Sequence, residues 1–351
     1  MMRNFIMNAI KWNSKRSRSK NWRKCFTKNT KEQVLSKSQI ADVKKYYENY
    51  RKVNTLFHNF YTEKTEKFYV EYIPDDLYYC YIDPFYNDWE KAKIVDNKCF
   101  YSCLFKGVAQ AENIVCRINN LWLSENYTIL KKDEVKTLLR RYDSFFLKKA
   151  TDSEGGIGVF FFDGEDRVER LFKKVSGISG DIVIQKPLIQ HEALSKINAS
   201  SVNTIRVLSL LSDSGVKVYS SILRIGINGA KVDNASSGGI TCGIDNNGKL
   251  KGVAYSAKGD KYIIHPDSGL TFLGYDIPGF SSVIELVSTL HPQIPHFRLV
   301  SWDFAIDEAG VPVLIEANLK YGELDFHQLN NGPVFGEDTH KILTEVFGAN
   351  K

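Results

Sequence analysis

Residues Trp302–Asn318 read WDFAIDEAGVPVLIEAN, two strand-like runs with a glycine between them. If Asp303 lies directly opposite Glu316, the hairpin turn is centred on the Ala309–Gly310 step, where a tight turn favours glycine. Side chains alternate between the two faces of a strand, so Glu316 and Asn318 point the same way. The spacing therefore predicts that Asp303, Glu316 and Asn318 converge on one face of the hairpin.

Three oxygen-bearing side chains in this arrangement are typical of a magnesium site. Mg²⁺ prefers hard oxygen ligands to histidine or cysteine, and it is often bridged by phosphates. Glu316 also interrupts the apolar run 313–317, where a buried charge is costly unless it has a partner. The alternative interpretation is an exposed acidic hairpin without a ligand, and both interpretations fit the pattern.

A glycine-containing loop forms a second candidate site. Lys148 lies in the strand-like run 144–149, and the next loop carries Gly155, Gly156 and Gly158. Glycines let backbone N–H groups approach phosphate closely, and the lysine adds a positive charge. A strand is predicted to follow, which argues against a Walker A motif or a dinucleotide fingerprint. The loop is therefore either a phosphate-binding flap between two strands or a plain hairpin loop.

The third motif is the apolar strand DIVIQKPL at 181–188, which alone says nothing about function. Together and in this order, the three motifs resemble the ATP-grasp superfamily. Further stretches resemble its sugar-transfer-associated branch, and the resemblance covers roughly residues 90–347. These stretches are SVNTIR (201–206), VDNASSGG (232–239), HPDSG (265–269) and NLKYGELDFHQ (318–328).

The resemblance implies an α+β fold that holds ATP between two α+β lobes. The expected organisation is a basic, mainly helical N-terminal extension (1–55), an N-terminal α/β region (56–143) and the ATP-binding and catalytic lobes (144–347). Within the second region, the aromatic stretch 68–89 is expected to form strands or extended segments broken at its two prolines.

The resemblance also implies which residues bind the nucleotide and the metal. Adenine is expected at the hinge, and ribose within reach of a carboxylate four residues further on. Arg206 and a lysine of the strand before the glycine loop would hold the phosphates. Either Lys148 or Lys149 could be the lysine that faces the cleft. One or two Mg²⁺ ions would bind the hairpin residues. The expected sets are Gln185, Lys186, Leu188 and Glu192 for the nucleoside; Lys148, Gly155, Gly156, Gly158 and Arg206 for phosphates; and Asp303, Glu316 and Asn318 for metal.

Two arginines and a group of polar residues complete the expected site. Arg224 would stabilise the acyl-phosphate or tetrahedral intermediate, and Arg206 is expected to be catalytic as well as to hold phosphates. The acceptor side would be lined by Asn203, Asp233, Asn234, Ser237, His265, Asp267 and His327.

The activity implied is an ATP-dependent carboxylate–amine ligase that forms an acyl phosphate. Its small-molecule substrates would be a carboxylate and an amine, in the modification of a sugar or surface polysaccharide with an amino acid or similar group. The alternatives are a phosphotransferase on the same scaffold and an ATP-binding module without catalysis. The chain carries no Ser–His–Asp or Cys–His signature near a glycine elbow, which agrees with chemistry that needs no side-chain nucleophile.

The positive charge of the chain is concentrated at its N-terminus. Residues 1–31 contain ten lysines and arginines and no acidic residue, whereas the whole 351-residue chain carries +6, so the other 320 residues carry −4. A nucleic-acid partner is not expected, because the arm lacks a recognisable binding module. Five apolar residues of the arm follow the spacing of one helix face, namely Met2, Phe5, Ile6, Ala9 and Ile10.

An apolar helix face flanked by cations is typical of a helix that lies on an anionic membrane surface. The alternatives are a solvated tail and a helix docked on the protein's own body. The sequence shows neither a membrane-spanning run nor an export signal, so the expected location is cytoplasmic. With the membrane-surface interpretation of the arm, the protein would be peripheral at the inner face of the membrane.

Overall fold

The computed structural model describes residues 2–151, 158–230 and 238–348. The first 104 residues are mainly helical. Their elements are α1 (Met2–Asn29), α2 (Lys37–Tyr47), α3 (Leu56–Thr65), α4 (Asp75–Leu77), a π-helical segment (Tyr78–Ile82), α5 (Asp83–Tyr86), α6 (Ala92–Val95), a 3₁₀ turn (Lys98–Phe100) and α7 (Tyr101–Leu104).

The expectation of strands or extended segments across 68–89 is therefore wrong for its second half. Pro74 precedes the first turn of α4 and Pro84 lies inside the first turn of α5, where a proline is tolerated because its missing N–H would have no helical partner. The tyrosines that suggested strands are instead buried on helical turns, where Tyr78 and Tyr79 are each 1% exposed.

A six-stranded antiparallel sheet forms the smaller lobe, with strand order β4-β3-β2-β7-β5-β6. Helices α8 (Lys132–Leu139) and α9 (Arg167–Val175) cover one face, and Phe145 and Leu147 point into the core between them. This sheet contains strands on both sides of position 143. They are β2 (Asn113–Ile118), β3 (Leu121–Ser124), β4 (Ile129–Leu130), β5 (Ser144–Lys149), β6 (Val159–Asp163) and β7 (Ile182–Gln185).

An eight-stranded sheet forms the larger lobe, with strand order β1-β14-β13-β8-β9-β10-β11-β12. Its first strand pairs with β14 in parallel, and the other neighbours are antiparallel. The strands are β1 (Ala109–Gln110), β8 (Thr204–Ser212), β9 (Gly215–Ile225), β10 (Ile240–Ile244), β11 (Leu250–Ser256), β12 (Lys261–Tyr262), β13 (Leu299–Ile306) and β14 (Pro312–Asn318).

Helices cover both faces of the larger sheet. On one face, α10 (Glu192–Ile197) and α11 (Phe280–Leu290) pack on alternate residues of the central strands. On the other face lie α12 (Leu324–Asn331), α13 (Thr339–Gly348) and helices from the N-terminal region. Short 3₁₀ turns occur at His291–Gln293 and Gly336–Asp338. The architecture is α+β with two lobes, as the sequence predicted.

The register of the β13–β14 hairpin matches the prediction at the three predicted metal residues. Asp303 lies opposite Glu316, and Ser301 lies opposite Asn318. Beyond this point the register shifts by one, because Ile315 forms a β-bulge and Phe304 pairs with Leu314. The turn is therefore one residue tighter than the spacing implied, while the predicted face is retained.

Trp302 anchors the hairpin in the core. Its side chain is fully buried, its indole Nε1 donates to Ser209 Oγ at 2.9 Å, and it meets Phe105 and His291 edge-on. Trp302→Ala should lower the free energy of unfolding by about 3–5 kcal/mol, as for other buried aromatic truncations.

Urea unfolding followed by circular dichroism measures this loss. The control is Val311→Ala at the hairpin turn, where the valine is 45% exposed and a change of no more than about 0.5 kcal/mol is expected. Equal effects of the two substitutions would contradict the core role assigned to Trp302.

Candidate active site

A buried carboxylate lies at the centre of the candidate site. Asp303 on β13 accepts hydrogen bonds from Arg206 Nε and Nη2, both at 2.7 Å, and from Arg224 Nη1 at 2.9 Å. The three side chains are 3–6% exposed. Burial alone would raise the pKa of Asp303, but the two guanidinium groups outweigh it and hold that pKa below its usual value. The carboxylate is therefore charged and fixed in position.

The sheet register brings these groups together. Arg206 lies on β8 directly opposite Asp303, and Arg224 lies on β9 opposite Thr204, two residues before Arg206. Because side chains alternate, both arginines and the predicted metal residues share one face of the larger sheet. Arg206 also pairs with Glu323, and although burial opposes the charge, Asp303 and Glu323 raise the pKa of Arg206.

Lys98 is a functional candidate that the sequence analysis missed. Its Nζ lies 2.5 Å from Glu316 Oε1, and its side chain is 8% exposed. Burial alone would lower the pKa of Lys98, but Glu316 outweighs this effect and raises it. The backbone N–H of Lys98 also donates to the carbonyl of Ala150 at 3.0 Å, at the end of β5. Lys98 lies in a short 3₁₀ turn with no motif around it, so no local signal could have found it.

The smaller sheet places Lys148 on the face opposite its helix-covered core. Phe145 and Leu147 point toward the core, so Lys148 points the other way. It pairs with Val183, whose side chain packs with Cys99, the residue next to Lys98. Lys149 lies on the other face.

A small pocket of about 10 Å³ between the two lobes lies next to both the predicted hinge and the hairpin. Its lining includes residues from both lobes, namely Lys98, Tyr101, Gln110, Ala111, Asn113, Gln185, Leu314 and Ile315. At the hinge, Gln185 Nε2 donates to Asn113 Oδ1 at 2.8 Å, and the Lys186 backbone N–H donates to Glu112 at 3.0 Å. Leu188 is half-buried a short distance beyond the hinge. The pocket therefore lies between the predicted adenine position and Ile315, the residue before Glu316.

The donor set of the hairpin fits a hard divalent cation. Glu316 retains 26% exposure while its Oε1 contacts Lys98. Asn318 Nδ2 donates to Ser301 O at 3.0 Å and to Asp303 Oδ2 at 3.4 Å, so its Oδ1 is the atom that can ligate a cation. Two carboxylates and an amide suit Mg²⁺. Within residues 2–151, 158–230 and 238–348, no group of three or more His, Cys, Asp or Glu side chains is placed to hold a metal ion.

Four of the predicted nucleoside and acceptor residues form hydrogen bonds or ion pairs outside the Asp303 cluster. Glu192 is exposed and pairs with Lys196 at 2.8 Å. The Asn203 amide is buried and donates to Gln190 and to two backbone carbonyls. His265 bonds to the Gly226 carbonyl and accepts from backbone N–H groups of its own loop, while Asp267 accepts from Gly229. None of these contacts involves Asp303.

Parts of the predicted phosphate and acceptor loops lie outside the described residues. Gly158 is described and has a positive φ of 86°, which favours glycine. The residues outside the described ranges are Gly155, Gly156, Asp233, Asn234 and Ser237.

His327 on α12 is fully buried, and its hydrogen bonds determine which ring nitrogen carries the proton. Its Nδ1 lies 2.7 Å from Ser220 Oγ, which also accepts from Asn331 Nδ2 at 2.7 Å. The Ser220 hydroxyl hydrogen has no other acceptor among the described residues, so it donates to Nδ1 and the ring carries its proton on Nε2. Burial, with the charge of Arg206, lowers the pKa of His327 to about 3. Nε2–H is thus a buried donor for which the described chain offers no partner.

A pair of acidic groups lies beside Glu323. Asp325, in the first turn of α12, has its pKa raised to about 7 by burial and by the charge of Glu323. Asp75 on α4 accepts from the Tyr61 hydroxyl at 2.6 Å, and burial, with the nearby Asp325, raises its pKa well above the usual value. The sequence offered no signal for this cluster, since Asp75 and Asp325 are 250 positions apart.

Residues 80–343 match the model of the sugar-transfer associated ATP-grasp family. The chain belongs to this family. The resemblance stated from the motifs is thereby confirmed, and the observed two-lobed α+β fold is the ATP-grasp fold. No curated protein matches the chain.

Solved ATP-grasp structures resemble this family member at low identity. The biotin carboxylase domain of 2-oxoglutarate carboxylase from Hydrogenobacter thermophilus is 16% identical, with a TM-score of 0.43 over 74% of this chain and 47% of that one. D-alanyl-alanine synthetase A from Vibrio cholerae is 14% identical, with a TM-score of 0.41 over 72% of this chain and 63% of that one. The chain thus spans between about half and two thirds of their lengths.

The buried imidazole gives a test of the site's electrostatics. His327 should not titrate between pH 5 and 8, and ¹⁵N NMR of the folded protein should show a neutral ring protonated on Nε2. The reason is that its pKa of about 3 lies far below this window.

Ser220→Ala removes the donor to Nδ1 and should make both tautomers visible. A titration midpoint near the ordinary value of about 6.5 in the parent protein would contradict the deduction.

Proposed function

We propose that this ATP-grasp protein is an ATP-dependent carboxylate–amine ligase that works through an acyl phosphate. Its product would be a sugar or surface polysaccharide that carries an amino acid or similar group. The observation that supports the proposal is the convergence of three buried cations, Lys98, Arg206 and Arg224, on two carboxylates at one end of an interlobe cleft. Buried, paired charges of this kind cluster at functional sites, and cations placed in a cleft are suited to bind phosphoryl groups.

Different residues around the cleft would bind different parts of the nucleotide. Adenine would lie near Gln185 and Leu314, held by backbone groups of the hinge. Lys148 would approach the phosphates from the smaller sheet, and Lys98 from the segment between the lobes. The predicted metal residues would hold one or two Mg²⁺ ions, which would neutralise phosphate charge when bound.

The two arginines would act on the reacting groups. In the first step, a carboxylate oxygen of the substrate attacks the γ-phosphorus and ADP leaves. In the second, the amine attacks the acyl carbon, phosphate leaves and the amine loses a proton. Both steps concentrate negative charge on oxygen, and Arg206 and Arg224 are already fixed in place to stabilise it.

Trapping with hydroxylamine tests the reaction class. The purified protein is incubated with ATP, Mg²⁺, neutral hydroxylamine and a panel of amino acids and uronic acids, and both ADP and ferric hydroxamate are measured. A ligase should form hydroxamate in proportion to ADP with one class of carboxylate. ADP release that depends on a sugar hydroxyl, without hydroxamate, would indicate a phosphotransferase instead. No stimulated release with any substrate class would favour the binding module.

Glu316→Gln tests the metal assignment. The substitution keeps the shape of the side chain but removes its charge, so ATP turnover should fall by about 100-fold or more. The Mg²⁺ concentration for half-maximal turnover should also rise.

Thermal unfolding checks that Glu316→Gln remains folded, because the substitution also removes the partner of Lys98. The exposed Glu285→Gln on α11 is the matched control and should keep full turnover. Turnover within about threefold of the parent for Glu316→Gln would refute the assignment.

Lys148→Ala should weaken ATP binding more than Lys149→Ala does. Only Lys148 lies on the sheet face away from the lobe's core, so only its charge can reach a nucleotide in the cleft. Isothermal titration with a non-hydrolysable ATP analogue measures both affinities. The reverse order would transfer the phosphate role to Lys149.

A further inference from the structure

One side of the C-terminal half of α1 packs against the rest of the protein. Arg23 pairs with Asp76 at 2.6 Å, and Ser19 donates to the same carboxylate at 2.8 Å. Trp22 stacks on Tyr79 with 4.3 Å between ring centroids. Phe26 is 6% exposed and packs among the aromatic residues of α3. This half of the helix is therefore an integral part of the fold.

The opposite side of the same half carries a row of lysines. Lys20, Lys24 and Lys28 are exposed and recur every four residues. At about 100° per residue, this row lies roughly 150° around the helix from the docked residues 19, 22, 23 and 26. Residues 2–29 contain no acidic residue, so nothing within the helix neutralises the row. We define the lysine face as Lys20, Lys24 and Lys28.

Five of the seven apolar positions in residues 2–14 lie, on average, on the same side of the helix. Residues 2–29 form one continuous helix of 28 residues, about 42 Å long at 1.5 Å per residue. Along it, the average direction of positions 2, 5, 6, 9 and 10 falls within roughly 30° of the lysine face, by the same 100° step. On average these five positions lie on the side of the helix that carries the cationic row, away from the docked residues, whereas apolar positions 7 and 12 lie about 100° or more from the row.

We propose that this side of α1 is a docking surface for an anionic lipid bilayer. The first three turns would enter the interface between headgroups and acyl chains, and the lysine face would lie on the anionic headgroups. Charge complementarity favours this occupant, because the residues after position 31 carry −4 in total and would be repelled by the same surface. A nucleic acid would match the lysines but not the apolar segment.

The docking is peripheral. In the part of the chain that the structure describes, no helix is long and apolar enough to cross a membrane. Each exposed lysine near an anionic surface adds about a fivefold gain in binding, and buried apolar side chains add to it. The two contributions differ in salt dependence, so they can be separated by experiment.

With this side of α1 on the bilayer, the helix would place the bilayer close to the candidate active site. That this site is an active site rests on the proposed function. Arg18 contacts the Tyr321 hydroxyl at 3.5 Å and lies over the Trp89 ring. Tyr321 belongs to the loop that leads from Asn318 to Glu323, the partner of Arg206. Since a helix with its side chains is about 10 Å thick, the bilayer and this loop would lie on opposite sides of one helix.

Vesicle co-sedimentation of the full-length protein tests the docking surface. Vesicles of phosphatidylcholine with and without phosphatidylglycerol are compared at low and high salt. The parent should bind the anionic vesicles, and binding should weaken at high salt. The variant K20Q/K24Q/K28Q should bind about 100-fold more weakly at low salt.

Two further variants serve as controls. K93Q/K106Q/K258Q removes the same charge from exposed lysines elsewhere and should bind as the parent does. I6S/I10S should lose the residual binding that persists at high salt. Vesicle binding needs no catalysis, so it is independent of the proposed reaction, and basal ATP turnover should be equal in all three variants.

Two outcomes would overturn the proposal. The first is equal binding of the parent and the K20Q/K24Q/K28Q variant to anionic vesicles. The second is salt-sensitive retention of a DNA or RNA duplex by the parent without any vesicle binding, which would assign the surface to nucleic acid.

Discussion

The arrangement of this protein depends on one carboxylate held between two arginines. Asp303, Arg206 and Arg224 are each at most 6% exposed, so each charge has lost most of its hydration and must be compensated by the others. They come from three adjacent strands, β13, β8 and β9. A slip of one residue in either pairing would turn one member of the cluster into the apolar core, so the cluster and the sheet register stabilise each other.

The face on which the site lies was predictable, because it follows from a local rule. Side chains alternate along a strand, so the spacing of Glu316 and Asn318 and their relation to Asp303 could be derived from one hairpin. The β-bulge at Ile315 was not predictable from that rule. A bulge adds one residue to one strand and leaves the pairing beyond it displaced, and nothing in an apolar run marks where it occurs.

Other parts of the site depend on contacts between distant residues. Lys98 and Glu316 are 218 positions apart, and the lysine lies in a turn with no periodic pattern. The buried donor on His327 depends on a serine 107 positions away. The prediction of strands in the aromatic stretch before Ile82 failed for a related reason. Tyrosine is common in strands, but here tertiary packing against α1 and α12 determines the conformation of the stretch. These features depend on packing between residues that are distant in the sequence. Such packing cannot be predicted from the local pattern of a single sequence.

Lys98 belongs to neither sheet and yet connects them. Its backbone N–H bonds to the smaller lobe at Ala150, and its ammonium bonds to the larger lobe at Glu316. The two bonds belong to one residue, so Lys98 links the lobes through its backbone on one side and its side chain on the other. Under the proposed function, a phosphate oxygen would replace Glu316 as the partner of the ammonium group. Lys98 would then keep its bond to the smaller lobe and lose its bond to the larger one.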